Sequence, residues 1–240
     1  LEDLDNIDNS KVLLRKQVET FVDTVLNSSA AFASNTQYFA YVRTYCSAAN
    51  TGEWSNAVSF KTACMPETPE SFGVEDFTSA ERFDCWTTGI NKLVGSPTMT
   101  TPRNTNGYLY LYNAKGTASS LGQTYAIMPT LNVDSIKDVE ITFQCHRGTG
   151  SGNGILDIGV CVDNFDSYIR VGTLNPGTVS AVTAATGYGF NEALYYTVRF
   201  TDYIGDAEGN FGKKIVLLGR GNMAAVNYIY IKNLSIRRLA

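Results

Sequence analysis

The sequence predicts an all-β protein of two domains, and three observations predict it. Hydrophobic residues make up 44% of the chain and charged residues 18%, with 14 Tyr, 12 Phe and 21 Gly, a composition that suits pleated strands and the turns between them. Short runs alternate apolar and polar residues with the period of a strand. The length, 240 residues, exceeds that of the usual single domain.

The first domain opens with Val12-Leu13-Leu14 and Val18-Glu19-Thr20-Phe21-Val22. The strongest alternation follows at Gln37-Tyr38-Phe39-Ala40-Tyr41-Val42-Arg43-Thr44-Tyr45, with a returning strand at Ala57–Thr62. Between them, residues 48–55 are small and polar around Gly52 and suit a hairpin loop closed by a packing Trp54. This pattern through Cys46, then Glu53-Trp54-Ser55 and Val58-Ser59-Phe60-Lys61-Thr62, resembles the last two strands of fibronectin type III domains in Bacteroidetes surface proteins. The resemblance implies a partial fibronectin type III-like sandwich over residues 1–63, because the stretch before Val12 is too short for the missing strands.

Residues 64–70, Cys-Met-Pro-Glu-Thr-Pro-Glu, form a linker, with two prolines and no apolar periodicity. The second domain, 71–240, reads as strands at short intervals: Phe72–Phe77, Tyr108–Asn113, Tyr125–Met128, Val139–Cys145, Ile155–Val162, Tyr168–Leu174, Tyr195–Tyr203, Lys214–Leu218 and Tyr228–Ile236. A two-sheet sandwich buries them. The opening Phe72-Gly73-Val74-Glu75-Asp76-Phe77 with Phe83-Asp84-Cys85-Trp86, the run Leu156–Val160, and the close Asn227–Ile236 are similar to jelly-roll domains of the MAM-like and cleaved-adhesin type. That resemblance implies a jelly-roll β-sandwich and an adhesive role.

Composition excludes several functions. The formal net charge is −4 and no basic run is present, so nucleic acid is not an expected partner. No apolar stretch reaches the roughly 18 residues of a membrane span, and the acidic opening Leu1–Asp5 places the N-terminus inside a longer precursor. The chain has one histidine, His146, and no Gly-x-Ser-x-Gly elbow, so a catalytic triad is not expected. His146 reads as an exposed residue at a loop edge, before a glycine-rich stretch, 147–154, that lacks the Lys-Ser/Thr of a phosphate loop. Isolated acids such as Asp157 and Asp163 cannot be ranked as a glycosidase pair from sequence.

Calcium is the expected cofactor, if any, since sandwich-end loops supply hard oxygen ligands. Asp206, Glu208 and Asn210 alternate in one loop; a solvated acidic hairpin is the alternative. Glu75 and Asp76 are candidates by the jelly-roll resemblance, which places an acid at the first strand and another near the last. Here Lys232 stands where that closing motif carries Asp. Asp163-Asn164-Phe165-Asp166 suits a turn equally well.

The feature that points to binding is aromatic. Tyr108, Tyr110 and Tyr112 share one face of a strand whose other face carries Leu109 and Leu111, and Tyr228 and Tyr230 alternate with Ile229 and Ile231 in the same way. With the aliphatic face inward, these tyrosines line an outer surface suited to a glycan or a host or matrix protein; core-packed tyrosines are the alternative. Trp86 is expected beneath a loop. Among five cysteines, Cys46 and Cys64 lie about eight strand residues apart, more than about 20 Å, so Cys64 with Cys85 is the candidate disulfide. The reading is a secreted or cell-surface, non-catalytic adhesion or carbohydrate- or protein-binding module. Its alternatives are a structural spacer, or an accessory region of a secreted protease or glycoside hydrolase.

Overall fold

The computed structural model describes residues 12, 32–95, 99–113, 121–147, 154–178, 193–221 and 227–239. The strands expected at 13–14 and 18–22 and the glycine-rich residues 148–153 lie outside the described residues. The chain divides into two compact units, Leu1–Cys64 and Met65–Ala240. No helix among the described residues is long and apolar enough to cross a membrane.

In the first unit, β1 (Gln37–Ala40) pairs antiparallel with β4 (Val58–Lys61), setting Tyr38 opposite Phe60. Their rings stack 5.8 Å apart, and Phe32 meets Tyr38 edge-on at 5.0 Å. The expected strand Gln37–Tyr45 is interrupted after Ala40 and resumes as β2 (Tyr45–Ser47), which turns onto β3 (Asn50–Thr51). Gly52 N donates to Thr44 O at 3.0 Å and Ser55 N to Val42 O at 2.8 Å. A Cβ on Gly52 would lie 2.2 Å from Thr44 Oγ1, so glycine permits the close approach. Trp54 is half-buried beneath the Arg43 guanidinium, whose Cζ lies 4.4 Å from the ring centroid.

The second unit opens differently from the expected strand at Phe72–Phe77. Pro69 stands at the helix start, and Thr68 and Ser71 form a capping box, so the chain turns into α1 (Pro69–Phe72). Only β5 (Val74–Glu75) is extended, and Phe77 at φ 59° ends it. Ser79 then caps α2 (Ala80–Phe83).

Two five-strand ladders follow, built from β6 (Thr87–Val94), β7 (Met99–Thr105), β8 (Tyr108–Asn113), β9 (Leu121–Ile127), β10 (Val139–Arg147), β11 (Ile155–Cys161), β12 (Ile169–Leu174), β13 (Leu194–Arg199), β14 (Lys214–Arg220) and β15 (Asn227–Arg238). One sheet runs β13-β10-β15-β8-β7 with β5 also on β15, and the other runs β12-β11-β14-β9-β6. From β8 to β15 the chain changes sheet at every connection except β11 to β12. That places β13-β10-β15-β8 against β12-β11-β14-β9, the strand order of a jelly roll. The unit is therefore an all-β jelly-roll sandwich, as its alternation predicts.

β6 and β7 escaped the sequence reading because neither alternates: Thr87–Val94 contains Gly89 and Lys92, and Met99–Thr105 contains Pro102. Both lie at sheet edges. Pro102 falls where the β7–β8 register shifts, between Thr100 and Arg103, a place where a missing N–H is tolerated. Asn106 and Gly107, at φ 51° and 75°, make the two-residue hairpin between β7 and β8.

Leu109, Leu111, Ile229, Ile231, Ile158 and Leu217 are at most 1% exposed and belong to one core between the sheets. Gly219 brings the layers close, since a Cβ there would lie 3.0 Å from Leu111 Cβ. Trp86 is buried against Phe77 and Phe83, as expected. Cys64 and Cys85 are disulfide-bonded, whereas Cys46, Cys145 and Cys161 are free thiols.

Outside the core, buried Glu140 on β10 is held between two cross-strand arginines, Arg237 Nε at 2.5 Å and Arg199 Nε at 2.7 Å. Arg237 and then Arg199 hold its carboxyl below the usual range. Because the folded value is depressed, the stabilisation is complete above the unfolded value of about 4.3 and is lost as pH falls below it toward the folded value. Urea midpoints measured from about pH 7 to about pH 3 should fall less steeply with acidification for Glu140→Gln than for the wild type; superimposable pH profiles would refute this assignment.

Candidate functional site

Cross-strand register assembles the tyrosines. Tyr228 pairs with Tyr112 and Tyr230 with Tyr110 along β15 and β8, while the alternating Leu109, Leu111, Ile229 and Ile231 fill the core. The tyrosines therefore stand on the outer face of the sheet. Tyr110, Tyr112, Tyr228 and Tyr230 are half-buried.

Their rings form one stacked group. Tyr110 and Tyr112 lie 5.7 Å apart at 10°, Tyr112 and Tyr228 5.2 Å at 24°, and Tyr110 and Tyr228 5.9 Å at 19°. Tyr230 joins Tyr110 at 5.2 Å and 32°, and Tyr228 at 6.4 Å and 16°. The shorter separations are too small for rings to lie edge to edge in one plane, so the rings overlap in offset stacks. The rings thus pack against one another, and the group as a whole remains half-exposed on the outer face. Burial, and then the neighbouring phenols, push the Tyr110 hydroxyl above its ordinary range.

Tyr108 differs from the other four: it is 5% exposed and meets Tyr230 edge-on at 5.1 Å. It belongs to the same face but is buried, where the other four are half-buried. His146 corrects an expectation in the same way. It is 1% exposed, not at an exposed loop edge, because β10 places it opposite Tyr230 and their rings stack 4.9 Å apart at 22°.

Two cations rim the group, and neither was read from the sequence as part of it. Arg103 on β7 sits opposite Tyr110, its Cζ 5.9 Å from the ring centroid. The sequence signal was Asn106-Gly107, a two-residue hairpin that folds β7 onto β8. At the other end, a β-bulge between β10 and β15 centres on Asn233, at φ 51°. Asn233 Nδ2 donates to Gln144 Oε1 at 2.8 Å, and Lys232 pairs with Gln144 on the tyrosine-bearing face.

The carboxylates considered for calcium are engaged by protein groups. Glu75 is 1% exposed; its Oε1 accepts from Phe77 N at 2.8 Å and its Oε2 lies 3.0 Å from Arg82 Nε. Burial outweighs that hydrogen bond and Arg82, and pushes the carboxyl above its ordinary range. Arg82 also reaches Glu67 at 3.5 Å, donates to the carbonyls of Phe72 and Val74, and lies over the Phe72 ring. Asp76 accepts from Thr78 N at 2.9 Å and Thr78 Oγ1 at 2.6 Å, and these bonds, with the Lys232 charge, hold its carboxyl low. Asp206 accepts from Glu208 N at 3.1 Å, Asn210 N at 2.8 Å and Asn210 Nδ2 at 3.2 Å, closing its own loop, while Glu208 and Asn210 are exposed. Asn164 caps the turn Phe165–Ser167. Among the described residues, no three His, Cys, Asp or Glu side chains converge as a metal-binding group.

No family model matches the chain, and no curated protein matches it. Among solved structures, a variant of a family 29 carbohydrate-binding module is 16% identical, with a TM-score of 0.35, over 63% of this chain and 90% of that one. A second family 29 carbohydrate-binding module is 14% identical, with a TM-score of 0.35, over 63% and 88%. A xylanase 10C from Cellvibrio japonicus in complex with xylopentaose is also 14% identical at 0.35, over 63% of this chain and 27% of that one. Likeness at this level transfers no ligand to the present chain.

Arg82 supplies the positive charge that Glu75 meets. Arg82→Met should cost about 3 kcal/mol, because it strands a buried carboxylate, and a urea unfolding series reads this directly; a loss below about 1 kcal/mol would contradict the assignment.

Proposed function

We propose that Met65–Ala240 is a non-catalytic binding module that engages glycans through the outer face of the β13-β10-β15-β8-β7 sheet. The observation that carries this reading is the stacked group Tyr110, Tyr112, Tyr228 and Tyr230, half-buried on an outer face whose opposite side chains fill the core. Core packing of the sandwich does not require these four rings. Their mutual stacking holds them in place before a ligand arrives, which reduces the ordering cost of binding. Ring edges supply apolar contact for sugar C–H groups, and phenol groups both donate and accept hydrogen bonds. Arg103 and Lys232 add charged donors at the rim.

The module is assigned outside the cell on the disulfide-bonded Cys64 and Cys85, which calls for an oxidising compartment. In this reading the fibronectin-like first unit is a spacer and the whole is part of a surface or secreted adhesive protein. A host or matrix protein is the alternative ligand of the same tyrosine surface.

A glycan array probed with the intact chain, once with calcium and once with EDTA, tests the proposal. Specific sugars should be retained, and Tyr112→Ala with Tyr228→Ala should weaken binding by at least about tenfold while the chain stays folded by circular dichroism, at an unfolding midpoint lowered by the lost stacking. An array blank in both buffers would sink the glycan reading, and retention by the double variant would move the site elsewhere. Loss of binding only in EDTA would bring calcium into the site.

A further inference from the structure

Part of the outer face of the second sheet carries a row of polar side chains. In register across β6, β9 and β14 stand Asn91, Gln123 and Arg220, on strands spaced about 4.8 Å apart. Asn91 Nδ2 donates to Gln123 Oε1 at 3.1 Å. Arg220 donates through Nε at 2.5 Å and Nη2 at 3.2 Å to the two oxygens of Asp157 on β11, a fork that fixes the guanidinium plane. Asp157 is 2% exposed and accepts from Thr173 Oγ1 at 2.6 Å. Arg170 Nη1 stands 3.9 Å away on β12, its side chain largely exposed.

Tyr168 completes the cluster. Its ring lies against Gly159, where a Cβ would come 2.4 Å from Cε2, and its hydroxyl oxygen is buried without a hydrogen-bond partner among the described residues. The charges of Asp157, Arg170 and Arg220 all bear on this phenol. Beside the polar row, the rings of Tyr125 and Phe165 stack 4.1 Å apart and 4° from parallel, forming an apolar wall.

Two features select the ligand. Two guanidinium groups face one carboxylate, so the cluster carries one positive charge in excess and suits an anion. Asn91 Oδ1, Gln123 Nε2 and Arg220 Nη1 have no partner among the described residues. The row therefore offers an acceptor as well as donors, which matches hydroxyl groups; a phosphate or sulfate would meet Asn91 Oδ1 with like partial charge.

We propose that this face is a second binding site, for an acidic saccharide. Arg220 and Arg170 take the sugar carboxylate, and Gln123 and Asn91 take adjoining ring hydroxyls. The inference does not rest on the tyrosine surface, which belongs to the other sheet.

Calorimetric titration of the intact chain with oligosaccharides of galacturonate, glucuronate and sialate tests it, each against its methyl ester, which removes the charge and keeps the hydroxyls. At least one acid should bind, with its ester weaker by about tenfold or more. Arg170→Gln and Gln123→Ala, both surface changes, should each weaken that binding by about tenfold, while Tyr112→Ala with Tyr228→Ala leaves it unchanged. The proposal is overturned if no acid binds, if acid and ester bind equally, if both polar variants bind as the wild type does, or if the tyrosine variant abolishes the interaction.

Discussion

The strand β15 is hydrogen-bonded along both edges, to β10 on one side and to β8 and then β5 on the other. It contributes Ile229, Ile231, Leu234 and Ile236 to the core, and the pleat sends the residues between them to the opposite face. One side of this strand thus seals the sandwich while the other carries Tyr228, Tyr230 and Lys232. Slipping its register by one residue would place tyrosines in the core and isoleucines on the surface. The extra residue at Asn233 lets both halves of the strand keep their apolar rows inward.

Arginine is the recurrent answer to burial of a carboxylate in this unit. Glu140, Asp157 and Glu75 are each nearly inaccessible, and each lies against at least one guanidinium. A guanidinium is planar, always charged, and reaches two acceptors at once. In Asp157 the pairing holds both oxygens and leaves part of the Arg220 guanidinium facing outward. At Glu75 the pairing lies next to a helical turn and two backbone carbonyls, and there it ties the opening of the unit together.

Much of the sandwich was legible because its central strands alternate strongly. β8, β10, β11, β14 and β15 were read as strands, and each has the aliphatic residues of at least one row buried. The edge strands β6 and β7 were not legible, since an edge strand needs no continuous apolar row and tolerates Gly89 and Pro102. The opening Phe72–Phe77 misled for a local reason: the capping box at Thr68 and Ser71 competes with extension. The tyrosine row was visible as alternation, but its division into four surface rings and one buried ring was not. Tyr108 is buried and packs edge-on against the Tyr230 ring of the neighbouring strand, a contact made only in three dimensions.

By itself the sequence determined the class of structure, the inward rows, and the presence of tyrosines opposite leucines and isoleucines. These follow from the strand period, which is local. Tertiary structure alone decided which strands are neighbours, and so which polar side chains converge. Asn91, Gln123 and Arg220 are separated by most of the unit in sequence, and only the order β14-β9-β6 sets them in one row. The same holds for His146 against Tyr230. Pairing is fixed by long-range hydrogen bonds and by the shared core, and neither leaves a trace in the local pattern of residues.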